Sequence, residues 1–488
     1  MLYPTLEEVK RLAGDYDTIP VFYRFPADHR TPIGIYLALA QGEDTAFLLE
    51  SVNNGTQWDR YSFIGFHPSQ EIRAEGARLT VTRDGVSETF TETDPFRYLQ
   101  KLLDASRSPK FADLPYFTGG LIGYFGYDAV RYTEPRLCNI PEDDIGMPDI
   151  HLFGYEELVA FDHLGSDTIV IVNLHADGDL EAQYERAQLR AAAIAAKIDS
   201  YHCRGQFRDD EPPIQVSSNV SREEYVSMVE RAREEIRKGE IFQVVLSQRF
   251  EVSNPPDSFE VYRRLRATNP SPYLYYFKTR GYSIAGASPE LLVKVTDTVA
   301  STRPIAGTRP RGATPEEDEA LECSLLADEK ERAEHTMLVD LGRNDLGRVC
   351  AYGSVNVEKF MYVERYSKVM HLVSDVKGLL REDKRPMDAL QAVLPAGTLS
   401  GAPKVRAMEI IDTLENRKRG LYGGTVGYFG YTGDMNTCIA IRTVLFREGH
   451  AYVQAGAGIV ADSDPEKEYA ETMHKAEAML RAIKEARK

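Results

Sequence analysis

Four glutamates stand out by their spacing. Glu331 and Glu334 sit three apart in DEKERAEHTMLVDLGRND, and Glu468 and Glu471 repeat the interval in DPEKEYAETMHKAEAML. On a helix, residues three apart share one face, so each pair presents two carboxylates to the same place, and Lys475 falls near the face of the second pair. Such pairs also occur on solvated faces. The first pair, however, runs directly into the apolar MLVDL, and half-buried carboxylates at this spacing want a cation. Mg²⁺ takes one or two protein carboxylates together with ligand oxygens and waters. Arg442, inside the β-rich AIRTVLF, must meet a carboxylate or lie at a rim, because an unpaired buried charge is costly. His371, flanked by apolar residues in RYSKVMHLVS, is either a hydrogen-bonded core residue or a proton-transfer group.

The stretch AGAGIVA, residues 455–461, fits G-x-G-x-x-A, yet Asp462 and Asp464 follow where a pyrophosphate would need bare helix N–H groups. Too little chain follows for a further βαβ unit. Gly456 and Gly458 are better used to bring backbone N–H groups close to a small carboxylate.

The elements that must hold these residues can be read from local signals. Ser221 and Glu224 form a capping box that opens a helix to about Lys238, which Gly239 ends. Asp464 and Pro465 open another, and further helical stretches lie near 316–340, 386–394 and 465–486. Strand signals occur at IFQVVLSQRF, PYLYYFK, YSIAGAS, TCIAIRTVLF and AYVQAGAGIV. Their irregular alternation with helices points to α+β rather than regular βαβ winding. GGLIGYFGY at 119–127 returns as GGTVGYFGY at 423–431, which suggests a duplicated or pseudo-symmetric core in which each lobe carries the same hairpin.

With 488 residues, two lobes are expected, divided where RDDEPPIQVSSNVSREEY reads as a linker: 1–205 and 206–488. A net charge of −17 excludes a broad nucleic-acid or anionic-membrane surface. The start lacks a basic, apolar leader, and no stretch is long enough to span a membrane, so a cytoplasmic protein is expected. Five cysteines without CxxC spacing indicate neither a disulfide framework nor a zinc site.

The order of motifs goes further: LLES (48–51), GEIFQVVLS (239–247), NPSPY (269–273), ASPE (287–290), PIAGTRPRG (304–312), AEHTMLVDLGRNDLGRV (333–349), GAPK (401–404), YGGTVGYF (422–429), TCIAIRT (437–443) and QAGAGIV (454–460). Together they resemble the chorismate-utilising enzymes, and among these anthranilate synthase component I. The resemblance runs from about residue 5 to the C-terminus.

It implies an α+β fold in which a large β-sheet sandwich is covered outside by helices, with chorismate bound in the C-terminal lobe. Glu331, Glu334, Glu468 and Glu471 match the family's Mg²⁺ cluster. Thr308, Tyr422, Arg442, Gly456, Gly458 and Lys475 match chorismate contacts. Glu290 of ASPE matches the general acid that helps hydroxide leave, and His371 the histidine associated with pyruvate elimination. The family alternatives meet chemical objections. Isochorismate synthases activate water with a lysine where this chain has Gln243, and aminodeoxychorismate synthases, the runner-up, commonly carry a nucleophilic lysine where it has Ala306. No cysteine lies in a Gly-x-Cys-x-Gly elbow and residue 2 is Leu2, so a separate glutamine amidotransferase subunit, component II, is implied as the ammonia source, in a hetero-oligomer. Glu50, Ser51, Asn269, Pro272, Tyr273 and Leu274 resemble the family's tryptophan feedback pocket, with Leu274 and Tyr275 departing from its NPSPYMF pattern.

Overall fold

The computed structural model describes residues 2–51, 60–201, 214–366 and 369–487. Eleven α-helices are found among them: α1 (Leu6–Leu12), α2 (Pro32–Ala40), α3 (Pro95–Asp104), α4 (Leu180–Ser200), α5 (Arg222–Arg237), α6 (Ser258–Thr268), α7 (Pro315–Ala327), α8 (Glu329–Gly347), α9 (Pro386–Val393), α10 (Lys404–Leu414) and α11 (Pro465–Glu485). They enclose two antiparallel sheets of twelve strands each.

The first sheet runs β1 (Thr18–Pro26), β10 (Asp167–His175), β9 (Glu157–Asp162), β3 (Tyr61–Phe66), β2 (Ala46–Glu50), β13 (Tyr273–Lys278), β14 (Ser283–Ser288), β23 (Thr443–Arg447), β24 (His450–Ile459), β12 (Gln243–Ser253), β11 (Gln215–Ser218), with β20 (Gly401–Ala402) beside β12. The second runs β17 (Ile305–Pro310), β19 (Val369–Leu379), β16 (Val299–Thr302), β15 (Leu291–Thr296), β22 (Met435–Ile439), β21 (Thr425–Gly430), β7 (Gly120–Phe125), β8 (Ile150–Tyr155), β4 (Gln70–Glu75), β5 (Arg78–Arg83), β6 (Val86–Thr91), with β18 (Asn356–Arg365) beside β19.

The central strands are apolar on both faces because both faces are covered. In β10, Ile169 and Ile171 point between the sheets, whereas Val170, Val172 and Leu174 point to the helical layer. β13 divides likewise, Tyr275 and Phe277 inward and Leu274 and Tyr276 outward. This is the period of two expected of a strand. Helices α2, α4, α6 and α11 cover the first sheet, and α3, α8 and α9 the second, giving a sandwich of sheets with helices outside.

Strands preceding residue 205 form one contiguous block in each sheet and later strands form the other. The residues immediately around the expected boundary, and Cys203, lie outside the described ones. The blocks join edge to edge through β2 with β13 and β7 with β21. The repeated nonapeptide is therefore the seam itself: Gly123 of β7 faces Gly427 of β21. A Cβ on Gly123, at φ 152°, would lie 2.1 Å from the carbonyl oxygen of His151, a separation no side chain tolerates. Among the described residues, no helix is long and apolar enough to cross a membrane.

Candidate active site

Two neighbouring connections pass from one sheet to the other, and the site is built on them. β14 ends at Ser288 in the first sheet, Pro289 and Glu290 turn, and β15 begins at Leu291 in the second. In the opposite direction, β22 ends at Ile439 and β23 begins at Thr443, with Arg442 in the corner. The corners are laced together. Ile439 N–H donates to the Glu290 carbonyl at 2.9 Å, Ala287 N–H to the Arg442 carbonyl at 3.1 Å, and Ser288 Oγ to the Ile439 carbonyl at 2.7 Å. Arg442 is not inside a single strand, as TCIAIRTVLF suggests. Its φ of 49° is in the left-handed region, which costs a non-glycine residue about 1–2 kcal/mol and points to a corner kept for its side chain.

That side chain is open to solvent at the corner, and among the described residues its guanidinium has no hydrogen-bond or ion-pair partner. Of the two expected placements, the structure gives the rim and not the salt bridge. Partial desolvation by the surrounding corner holds its pKa below the ordinary value, opposed by the charge of Glu290. Burial pushes the Glu290 carboxyl up in turn, against the opposing pull of Arg442, Thr398 and Lys475. Thr398 Oγ1 donates to Glu290 Oε2 at 3.2 Å. A carboxylic acid held above its usual range beside an unsatisfied cation is suited to donate a proton within an anion-binding site.

His371 lies on β19 opposite Thr308 of β17, where the register slips between Ala306 and Thr308 and Gly307 takes φ 64°. Its Nδ1 is 3.0 Å from the Gly307 carbonyl oxygen and 3.0 Å from Thr308 Oγ1. A carbonyl only accepts, so Nδ1 carries the proton and the neutral ring keeps a lone pair on Nε2. Burial lowers the pKa of His371; the Gly307 contact raises it and Arg442 lowers it further.

On β24, Gly456 and Gly458 face Ser247 and Val245 of β12. A Cβ at Gly456 would come 2.8 Å from the Tyr422 hydroxyl, and one at Gly458 2.6 Å from Gln243 Nε2. Lys475 Nζ donates to the Gly456 carbonyl at 3.1 Å and pairs with Glu471 at 2.7 Å. Tyr422, Gly456 and Lys475 thus converge.

The glutamates lie on α8 and α11, whose N-caps Asp328 and Asp464 accept from the first-turn N–H groups. Asp328 also divides the expected helix 316–340 into α7 and α8. Burial raises the Glu334 carboxyl, reinforced by Glu331 on its own helix and by Glu471 on the other. Burial and Glu471 raise Glu468 as well, while its hydrogen bond with Ser463 opposes them. Arg309 contacts Glu331 at 3.3 Å. Among the described residues, no three acidic, histidine or cysteine side chains close into a ready metal cage. Hard oxygen donors that repel one another fit Mg²⁺, which uses one or two carboxylates at a time beside ligand oxygens and waters.

A second group gathers where β2 ends and α6 turns into β13. Glu50 faces Leu274 in register and is buried. Its carboxylate accepts from Arg266 Nε and Nη2 at 2.8 and 3.0 Å and from the Tyr262 hydroxyl at 2.6 Å. Ser51 follows it, Asn269 caps α6, Pro272 is half-buried, and Tyr273 donates to Asn436 Oδ1 at 3.4 Å. Leu274 is packed in the core at 1% exposure. Tyr273 faces Ser288, two residues before Glu290, so this corner and the first site share adjacent strands.

Sequence reasoning missed Thr398, Gly307 and Arg309. Thr398 lies in a three-residue 3-10 turn, Gly397–Leu399, with no motif of its own, while the glycine of PIAGT was the one available hint of a bulge.

Residues 45–481 match the family model for chorismate binding enzymes. The chain belongs to this family. It is 49% identical to anthranilate synthase component 1 of Acetivibrio thermocellus, over 100% of this chain and 99% of that one. It is 47% identical to the protein of the same name from Pseudomonas putida, over 98% of each. Among solved structures, anthranilate synthase component I from Streptococcus pneumoniae matches with a TM-score of 0.77 at 42% identity, covering 88% of this chain and 94% of that one. The menaquinone-specific isochorismate synthase of Escherichia coli, 20% identical with a TM-score of 0.71, shares the fold.

Proposed function

We propose that this chorismate-family enzyme adds ammonia to C2 of chorismate, expels the C4 hydroxyl as water and eliminates pyruvate, leaving anthranilate. The observation that carries this reading is the placing of an unpartnered, solvent-accessible Arg442 at the same corner as a Glu290 carboxyl held above its usual range. Arg442, Lys475, Thr308, Tyr422 and the backbone at Gly456 and Gly458 receive the dianionic substrate, which explains how a chain of net charge −17 binds an anion. Glu290 donates the proton that turns the C4 hydroxyl into water as the C2–N bond forms. His371, with Nε2 free to accept, takes the C2 proton as the bond between ring and enolpyruvyl oxygen breaks and the ring becomes aromatic. Gln243 is no base and Ala306 no nucleophile, so neither a water-derived nor a lysine-bound product is favoured.

Glu331, Glu334, Glu468 and Glu471 would hold Mg²⁺. When bound, it neutralises the ring carboxylate of the substrate. Ammonia comes from a glutaminase subunit: two of the thiols here, Cys350 and Cys438, are buried, and burial pushes them up to about 11 and about 12, away from the reactive thiolate. The corner of Glu50, Ser51, Asn269, Pro272, Tyr273 and Leu274 takes tryptophan as inhibitor, and its strand β13 borders β14, which leads into Glu290.

The test is an incubation of the purified chain with chorismate, Mg²⁺ and ammonium at mildly alkaline pH. Anthranilate and pyruvate are expected in equal amounts with ammonium and neither with glutamine. Isochorismate or aminodeoxychorismate as product would overturn the reading.

A further inference from the structure

Glu415 caps α10, and Arg419 follows four residues later on the approach to Tyr422; both are buried, at 7% and 5% exposure. Arg419 donates from Nε to Glu415 Oε2 at 2.8 Å and from Nη2 to Oε1 at 2.5 Å. Nη1 donates to the Leu399 carbonyl at 2.6 Å and Nη2 also to the Val245 carbonyl at 2.7 Å. The other end of the pair is equally occupied: Glu415 Oε1 accepts from Ser247 N–H at 2.8 Å and Ser247 Oγ at 2.9 Å. The guanidinium lies over two rings, 4.7 Å from the centroid of Tyr127 and 5.7 Å from that of Tyr422.

Stability alone does not account for such a pair, since well-packed apolar side chains hold a core as well as a buried ion pair does. What it adds is direction: charge-assisted hydrogen bonds from a planar fork fix several backbones at once. Every hydrogen bond that leaves the pair ends at or beside a group of the site. Leu399 follows Thr398, the donor to Glu290. Val245 faces Gly458 and Ser247 faces Gly456. Tyr422 is touched directly and lies against Gly456.

We infer that the Glu415–Arg419 pair is the positioning element of the chorismate site, joining the Glu290 acid corner to the glycines of β24 and to Tyr422 without itself touching substrate. The inference rests on the functional reading above. A lysine at 419 keeps the charge but cannot reach Glu415, Leu399 and Val245 together.

The experiment compares wild type, Arg419→Lys and Ser247→Ala by chorismate consumption at saturating ammonium, with product identity, melting temperature and the pH profile of kcat recorded in parallel. Arg419→Lys is expected to lose about 10- to 100-fold in kcat/KM, the scale of a small misplacement of reacting groups, and to displace the alkaline limb of kcat, because Thr398 is no longer held against Glu290. Ser247→Ala, which loses one hydrogen bond to Glu415 and one from Gln454, should raise KM for chorismate about 2- to 10-fold. A folded Arg419→Lys with wild-type kcat, KM and alkaline limb but a lowered melting temperature would make the pair merely structural and overturn the inference. Should Arg419→Lys fail to fold, Ser247→Ala decides: a raised KM supports the inference and unchanged constants overturn it. A failed functional reading would show separately, as a wild-type product other than anthranilate.

Discussion

The Nδ1 of His371 lies 3.0 Å from the carbonyl oxygen of Gly307, a contact that leaves Nε2 as the acceptor of the neutral ring. Replacing the ring by Met should therefore slow pyruvate elimination more than amination, and an aminated intermediate should build up. Quenched turnovers analysed by mass spectrometry check this; absence of that species from slow turnovers would remove His371 from the elimination step.

Glu290 provides the pH dependence. Its folded pKa is above the ordinary 4.5, so the native state holds this proton more tightly than the unfolded chain. The stability it contributes is complete below 4.5 and is lost as pH rises through the folded pKa, and Glu290→Gln should flatten that slope. In catalysis the proton is needed, so the acid's pKa sets the alkaline limb of kcat. Thr398 lowers that pKa; Thr398→Val should raise it and move the limb to higher pH. A limb moving to lower pH, or not at all, in the measured profile would contradict the assignment.

Glu334 is a half-buried carboxylate facing the like charges of Glu331 and Glu471. Glu334→Gln should relieve that repulsion and raise the melting temperature in a chelator. Added Mg²⁺ should raise the melting temperature of the wild type and leave the variant little changed. The same change should cost at least about 10²-fold in kcat/KM, as expected for losing several kcal/mol of charge stabilisation. Thermal scans with and without Mg²⁺, beside kinetics, measure both. Near-wild-type activity would return this glutamate to a solvated-face role.

Ser51 follows Glu50, whose carboxylate is already committed to Arg266 and Tyr262. Glu50 shapes the corner, and the Ser51 hydroxyl beside it is expected to meet the charged groups of tryptophan. Removing one charge-assisted hydrogen bond worth about 1.5–3 kcal/mol should weaken inhibition about 10- to 150-fold in Ser51→Ala. Uninhibited turnover should barely move, because coupling acts only when the inhibitor is bound. Inhibition curves at fixed chorismate decide; an unchanged curve would make Ser51 structural.

Local signals were legible in the sequence because their physics is local. The Ser221–Glu224 capping box, Asp464 with Pro465, and the shared faces of the glutamate pairs all stand as the spacing indicates. The Glu471–Lys475 contact on α11 follows from the same periodicity. What failed were inferences across a corner. The apolar run around Arg442 continues through the turn because Ala440, at 0% exposure, is as buried as the strands beside it, so no composition change marks the crossing. Thr398 and Arg419 were hidden for another reason: Glu290 is far from Thr398 in sequence, and although Glu415 is only four residues before Arg419, the Val245 carbonyl that completes its surroundings is far from it.

The seam of the repeated nonapeptide also bears on how the chain is made. Synthesis delivers β7 with its neighbour β8, and β2 with β3, long before β21 and β13 exist to cover their other edges. A nascent chain thus carries two bare strand edges, one per sheet, each able to pair with a second copy. The β7 edge carries the glycines and aromatics that later make its seam tight. The feature that welds the finished molecule is the one that leaves the edges of its first half unpaired until the second half is made.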